Sequence, residues 1–170
     1  AVRNEVRLAK EGKLARIMAK MNALLEAELI EELYGASQAG VKIDLLVRGV
    51  CALRPGVEGL SENIRVRSVV GRFLEHTRVF CFHNDGAEDV YLSSADWMDR
   101  NFFRRIELCF PVLDPALKQR VVREGLQAYL DDASYAWAMN SEGGYEPPAH
   151  RRGRPRRVQE ELLRTLVPAA

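Results

Sequence analysis

Three places in this sequence set side chains suited to phosphate chemistry beside the turns that would display them. The first is Arg48, which closes the apolar run VKIDLLVRG and stands immediately before Gly49. A guanidinium at the carboxyl end of a buried strand sits where α/β sheets gather their ligands, and its planar fork matches phosphate oxygens in pairs. The glycine beside it lets such a group approach the backbone; the commoner fate of a loop arginine is a surface ion pair. The second is His76 in VGRFLEHTRVF, four residues after Arg72 and two before Arg78. In a strand that began at His76, alternation would turn Arg78 to the same face. An imidazole so placed can accept a proton or a phosphoryl group, although a histidine at a strand start more often serves structure. The third is YLSSADWMDRN (91–101), where Ser93, Ser94 and Asp96 offer two hydroxyls and a carboxylate. Trp97 can anchor that turn, and Arg100, Arg104 and Arg105 follow it; the plain alternative is a turn with a helix cap. No glycine-rich loop of the Walker or protein-kinase type occurs, so a nucleotide here is not held by either cradle.

The elements that must position these residues are legible in outline. Residues 3–12 read as a short polar helix closed by Gly12, while 14–24 fits either strand or helix. The stripe Leu29, Ile30, Leu33, Tyr34 and Ala36 predicts a helix over 26–40, and 41–49 predicts a buried strand. With 14–20 as a strand the order is β-α-β, and its crossover is expected to be right-handed. A loop rich in Gly, Pro, Ser and Asn leads to a strand at 64–70. Strands at 76–82 and 88–92 then flank Asn84-Asp85-Gly86, a hairpin turn signal beside which His83 reads as a solvated residue. Another strand is expected at 104–112. Asp114-Pro115 caps a helix running to about 130, and 140–158, which holds His150, reads as a flexible Gly/Pro/Arg-rich arm before a short closing helix. The sum is an α/β domain, a mixed β-sheet flanked by helices, over 1–138, with a basic arm and short helix over 139–170.

Composition narrows the classes without choosing among them. The 170 residues are 47% apolar and 29% charged, and 25 basic against 24 acidic residues leave a formal charge of +1. No global field therefore advertises a nucleic-acid partner. Basic residues cluster locally, at Arg65, Arg67, Arg72 and Arg78 and in the five arginines of 151–157. Cys51, Cys81 and Cys109 show no CxxC spacing, which suits a reducing, cytoplasmic setting and small buried hydrophobes. No integral membrane segment is expected, because no run nears the roughly 18 apolar residues of a span.

Three blocks, AKMNALLEAELIEELY (19–34), ASQAGVKIDLLVRGVCALRPGVEGLSENIRVRSVVGRFLEHTRVF (36–80) and VYLSSADWMDRNFFRRIEL (90–108), resemble the long, histidine-phosphorylated polyphosphate kinases. That resemblance implies reversible transfer of the γ-phosphate of ATP to inorganic polyphosphate with Mg2+, on two phospholipase-D-like halves of which this chain is similar to the second. It implies that Arg48 and His76 contact ATP, that His76 is catalytic, and that Arg105 helps hold phosphate. Arg72, Arg78, Ser93, Ser94 and Asp96 are secondary candidates. Against the phospholipase D pattern, Arg78 stands where a lysine belongs and Ser93-Ser94-Ala95-Asp96 stands near its Gly-Ser-x-Asn. The resemblance puts the phosphorylated histidine, the magnesium ligands, a nucleotide-site tyrosine and a helical domain upstream of Ala1. The expectation is half an active site, inactive alone, with no metal site of its own, working with its upstream half in a homo-oligomer. The other classes weighed are a non-catalytic polyanion-binding module and a phospholipase-D-type phosphodiesterase.

Overall fold

Two short strands rich in branched and unbranched aliphatics form the centre of the molecule. β1 (Arg16–Met21) and β2 (Lys42–Val47) are buried beyond their first residues and pair in parallel. Strands buried on both faces read as continuous apolar runs rather than alternating ones, which is why 14–24 carried no clear period. α2 (Ala27–Gln38) connects them; the Glu26 carboxylate caps it by accepting from the backbone N–H groups of Glu28 and Leu29. α1 (Val2–Lys10) precedes β1, and its buried Glu5 accepts from the backbone of Arg16 and Asn84, tying the helix to the hairpin. The computed structural model describes residues 1–132, 136–147 and 157–167.

β3 (Ile64–Val69) pairs in parallel with β2, and β4 (Val79–Phe82) pairs antiparallel with β1. β5 (Asp89–Ser93) forms the hairpin with β4, followed by α3 (Asp99–Phe103) and β6 (Cys109–Pro111) at the edge. α4 (Pro115–Val122) starts at the predicted cap, where the Asp114 carboxylate accepts from Leu117 N–H at 2.8 Å, and runs through a π turn (Arg123–Gln127) into α5 (Ala128–Leu130). β7 (Ala136–Met139) and β8 (Tyr145–Glu146) extend the other edge, and α6 (Val158–Leu166) closes the described chain. The sheet order is β6-β5-β4-β1-β2-β3-β7-β8, a mixed sheet with helices on both faces, as expected. One face packs Ile17, Met21, Leu33, Leu45 and Trp97 under α1 and α2; the other packs Met18, Leu46, Val79, Leu126 and Val158 under α4, α5 and α6.

Two strands begin well after the positions that the sequence predicts. β4 begins at Val79, not at residue 76, because Val79 pairs with Lys20 and β1 ends one residue later; His76 has no strand to join. The strand expected at 104–112 shrinks to β6, because β5 offers partners only from Ser93 opposite Cys109. Arg104 and Arg105 consequently lie in an exposed loop. Within the expected arm, Tyr145–Glu146 pairs with β7, while 148–156, with His150 and most of the arginine cluster, lies outside the described residues. Cys81 is buried as expected and Cys51 is partly so, but Cys109 is exposed on the edge strand.

Candidate functional site

One rim of the sheet collects the carboxyl ends of β1 and β2, the amino end of antiparallel β4 and the carboxyl end of β5. Just past β1, Gly49 N–H donates to the Asn22 carbonyl at 2.7 Å, and a Cβ at Gly49 would meet that oxygen at 2.8 Å. Only glycine permits that approach. The space beside Arg48 that a ligand was expected to use is filled by Asn22 backbone. The approach sets the Asn22 amide against Arg48, whose Nε and Nη2 donate to Asn22 Oδ1 at 3.1 and 2.6 Å. Asn22 N–H donates in turn to Asp96 Oδ1 at 2.7 Å, and Arg78 grips both Asp96 oxygens at 3.1 and 3.0 Å. Arg78 Nη1 also donates to the His76 carbonyl at 2.8 Å. Arg48, Asn22, Asp96, Arg78 and His76 thus form one connected chain.

Burial would raise the Asp96 carboxyl, but the Arg78 hydrogen bonds and the Asn22 N–H outweigh it and hold the group below the usual carboxylate range. Asp96 and Arg78 therefore balance each other. Among the described residues Arg48 meets no carboxylate within ion-pair distance, and the exposed His76 ring makes no hydrogen bond. The rim is left with a cation and an imidazole uncommitted.

Beneath it lies a second polar cluster. Lys20, on the second-core face of β1, pairs with Glu75 and stands 3.5 Å from the centre of the Tyr129 ring. Glu75 also accepts from Tyr129 Oη at 2.6 Å and from Gln159 Nε2 at 2.6 Å. Burial by itself raises the Glu75 carboxyl, but Lys20 above all, then Tyr129 and Gln159, bring it below its ordinary value. At Lys20 burial prevails over the attraction of Glu75, and the neighbouring Arg48 charge adds to the lowering. Burial and then Glu75 raise the Tyr129 hydroxyl, which therefore remains a donor. Sequence reasoning missed all four residues. The available signal was Lys20, a charged residue inside a strand that is apolar beyond its first residue.

The remaining candidates are placed as follows. Ser93 Oγ donates to the Leu108 carbonyl at 3.2 Å, and Ser94 Oγ bonds Glu107 and accepts from Leu108 N–H, so both serines stitch down the 104–108 loop. Arg72 is exposed and its guanidinium lies 5.4 Å from the Phe73 ring centre. Arg105 is exposed in that loop and acts electrostatically on Glu107, as Arg78 does, but no contact joins it to Arg48 or His76. Among the described residues no three His, Cys, Asp or Glu side chains cluster as metal ligands. Asp96 at the rim and Glu75 beneath it are each engaged by a cation, so these two carboxylates do not fit a magnesium site. No described helix is long and apolar enough to cross a membrane.

The sequence that builds this rim matches a known family. A family model described as polyphosphate kinase C-terminal domain 2 matches residues 1–159. The chain belongs to that family. It is 62% identical over 98% of its length to a polyphosphate kinase of Paraburkholderia phytofirmans, covering 24% of that protein. It is 58% identical over 98% of its length to one from Neisseria meningitidis, again covering 24%. The crystal structure of polyphosphate kinase from Porphyromonas gingivalis superposes with a TM-score of 0.92 at 42% identity, over 97% of this chain and 25% of that one. The chain spans about a quarter of the length of these relatives. A phospholipase D family member, Nuc from Salmonella typhimurium, superposes with a TM-score of 0.50 at 15% identity over 71% of this chain, which shows the shared fold and nothing more. The domain therefore shares its fold with that phospholipase D family member, as the resemblance implied.

Proposed function

We propose that this polyphosphate kinase domain supplies the phosphate-gripping half of a phosphotransferase that moves the γ-phosphate of ATP reversibly to inorganic polyphosphate. The observation that carries the reading is the Arg48 guanidinium, aimed by a neutral amide and unopposed by any carboxylate among the described residues, on the rim that also holds His76. A transferring phosphoryl group spreads charge over three equatorial oxygens, so its catalysis is mostly positioning plus cationic stabilisation. Arg48 supplies that stabilisation. His76 binds the transferring group or protonates the leaving oxygen, a role worth ~10²–10⁴ in rate. Arg105, exposed farther along the rim, serves as a contact for the polyphosphate chain. Mg2+ arrives with ATP, and its ligands, like the phosphorylated histidine, belong to the upstream half, which works in the cytoplasm as part of a homo-oligomer.

Commitment of Arg78 to Asp96 argues against phosphodiesterase chemistry, since Arg78 holds the place of the lysine that chemistry requires. The test is His76→Ala and Arg48→Ala in the full-length enzyme, assayed for polyphosphate synthesis from ATP. Loss of synthesis with an unchanged melting temperature is expected for both. Near-normal synthesis by His76→Ala removes that residue from the mechanism. Polyphosphate binding without turnover by the unaltered full-length enzyme would leave only a polyanion-binding module.

A further inference from the structure

The segment between β3 and β4 carries His76, yet it has little backbone support of its own. Among the described residues no backbone–backbone hydrogen bond reaches residues 72–77. Side chains from distant elements hold it instead. Gln159, on α6, accepts from Phe73 N–H at 2.9 Å through Oε1 and donates to the Phe73 carbonyl at 2.9 Å through Nε2. The same Nε2 reaches Glu75 at 2.6 Å, one residue before His76. Lys20 from β1 and the Tyr129 hydroxyl from α5 complete the grip on the Glu75 carboxylate.

Gly71 adds an independent sign that the amide belongs there. A Cβ at Gly71 would collide with the terminal amide of Gln159, so any side chain there must displace that amide. Gln159 itself is only 8% exposed, an amide whose hydrogen-bonding groups are directed at this one segment. A buried amide that makes three hydrogen bonds to one loop is a clamp rather than a filler.

We propose that Glu75 is a positioning residue for His76, and that α6 takes part in catalysis by holding that loop through Gln159. The inference rests on the reading of His76 as a site residue of the phosphotransferase. Pinned by Lys20, Tyr129 and Gln159, the Glu75 carboxylate sets where the next residue presents its ring. Detaching α6 releases the Phe73 backbone and one donor to Glu75 together, so the geometry at His76 loosens while Arg48 stays in place on Asn22. Misplacing a reacting group by about 1 Å costs up to ~10² in rate, which sets the size of the effect.

The test uses the full-length enzyme with Gln159→Met, Gly71→Ala and the double variant. Gln159→Met keeps the volume of the side chain and removes its polar atoms. Gly71→Ala leaves every polar group intact and displaces the amide. Each single variant is expected to lower kcat for polyphosphate synthesis between about tenfold and 10²-fold while KM for ATP changes less than about threefold. The double variant is expected to be no worse than Gln159→Met, because both changes act on one contact. Amide exchange of Phe73 and its neighbours in 72–77 should accelerate while β1 and β2 stay protected. Unchanged kcat in Gly71→Ala with accelerated exchange at Phe73 overturns the proposal, and so does unchanged exchange with unchanged kcat. Should Gln159→Met fail to fold, Gly71→Ala decides alone. An active His76→Ala enzyme would sink the underlying site reading, whereas an inactive His76→Ala beside a fully active Gly71→Ala sinks only the clamp.

Discussion

Two buried carboxylates, Asp44 and Asp96, each meet arginine at opposite ends of the same strands, and they leave very different surroundings. Asp44, toward the amino ends of β1 and β2, takes Arg16 at 2.8 Å on one oxygen and Arg65 at 2.7 Å on the other. Two cations and one acid close on each other there, with both arginines reaching water. At the rim, Asp96 takes Arg78 and a backbone N–H, and the second arginine, Arg48, is steered by a neutral amide instead. The first arrangement uses its charge on itself. The second leaves one guanidinium without a carboxylate partner among the described residues, on the rim that also carries His76, the feature on which the proposed function rests.

Substitutions can break this contrast at either end. The largest effect is expected from Asp96→Ala, which leaves Arg78, with a side chain only 18% exposed, buried without its partner. Removing one member of a buried pair costs about 3–5 kcal/mol, measurable by denaturant unfolding. The pH dependence sharpens the point. Because the folded-state carboxyl of Asp96 lies below its unfolded value, its contribution is full above the unfolded pKa of ~3.9 and is lost as pH falls from there through the folded value. Asp96→Asn should flatten that acid limb; an unchanged limb would mean the carboxylate is not the group that titrates.

Next in size is Arg48→Ala in the full-length enzyme. Its partner is neutral, so stability should move by no more than about 1 kcal/mol, while kcat falls by ~10²–10³, the usual effect of deleting one transition-state donor. A comparable loss of stability would make Arg48 a structural arginine like Arg16. Asp44→Asn should do the reverse, costing about 1–3 kcal/mol and sparing activity, since both stranded arginines can rehydrate. The smallest effect is expected from Arg65→Ala. Its side chain is 66% exposed, and such a pair is worth about 0–1 kcal/mol in urea unfolding at moderate salt.

Legibility in the sequence followed how local the cause was. The Asp114 cap, the hairpin around Asn84-Asp85-Gly86 and the buried run ending at Arg48 depend on neighbours within a few residues, and all were readable. The boundaries of β4 and β6 were misread, since a strand ends where its partner ends, and the partner of Val79 is Lys20. Ser93 and Ser94 illustrate the same limit: two hydroxyls at a strand end suggest a ligand, yet their bonds go to the 104–108 loop.

Residue types and short-range spacing alone determined that this chain is an α/β domain with an arginine at the end of a buried strand and a histidine among arginines. Family blocks carried that to a polyphosphate kinase domain. Only the tertiary structure decided that Asn22 aims Arg48 and that Glu75 is gripped from β1, α5 and α6 at once. The reason is physical: a buried polar group must find partners wherever folding brings them, and for Glu75 these lie 55, 54 and 84 residues away along the chain. No local pattern encodes such pairs, because their cost and their compensation arise only after the sheet order has brought them together.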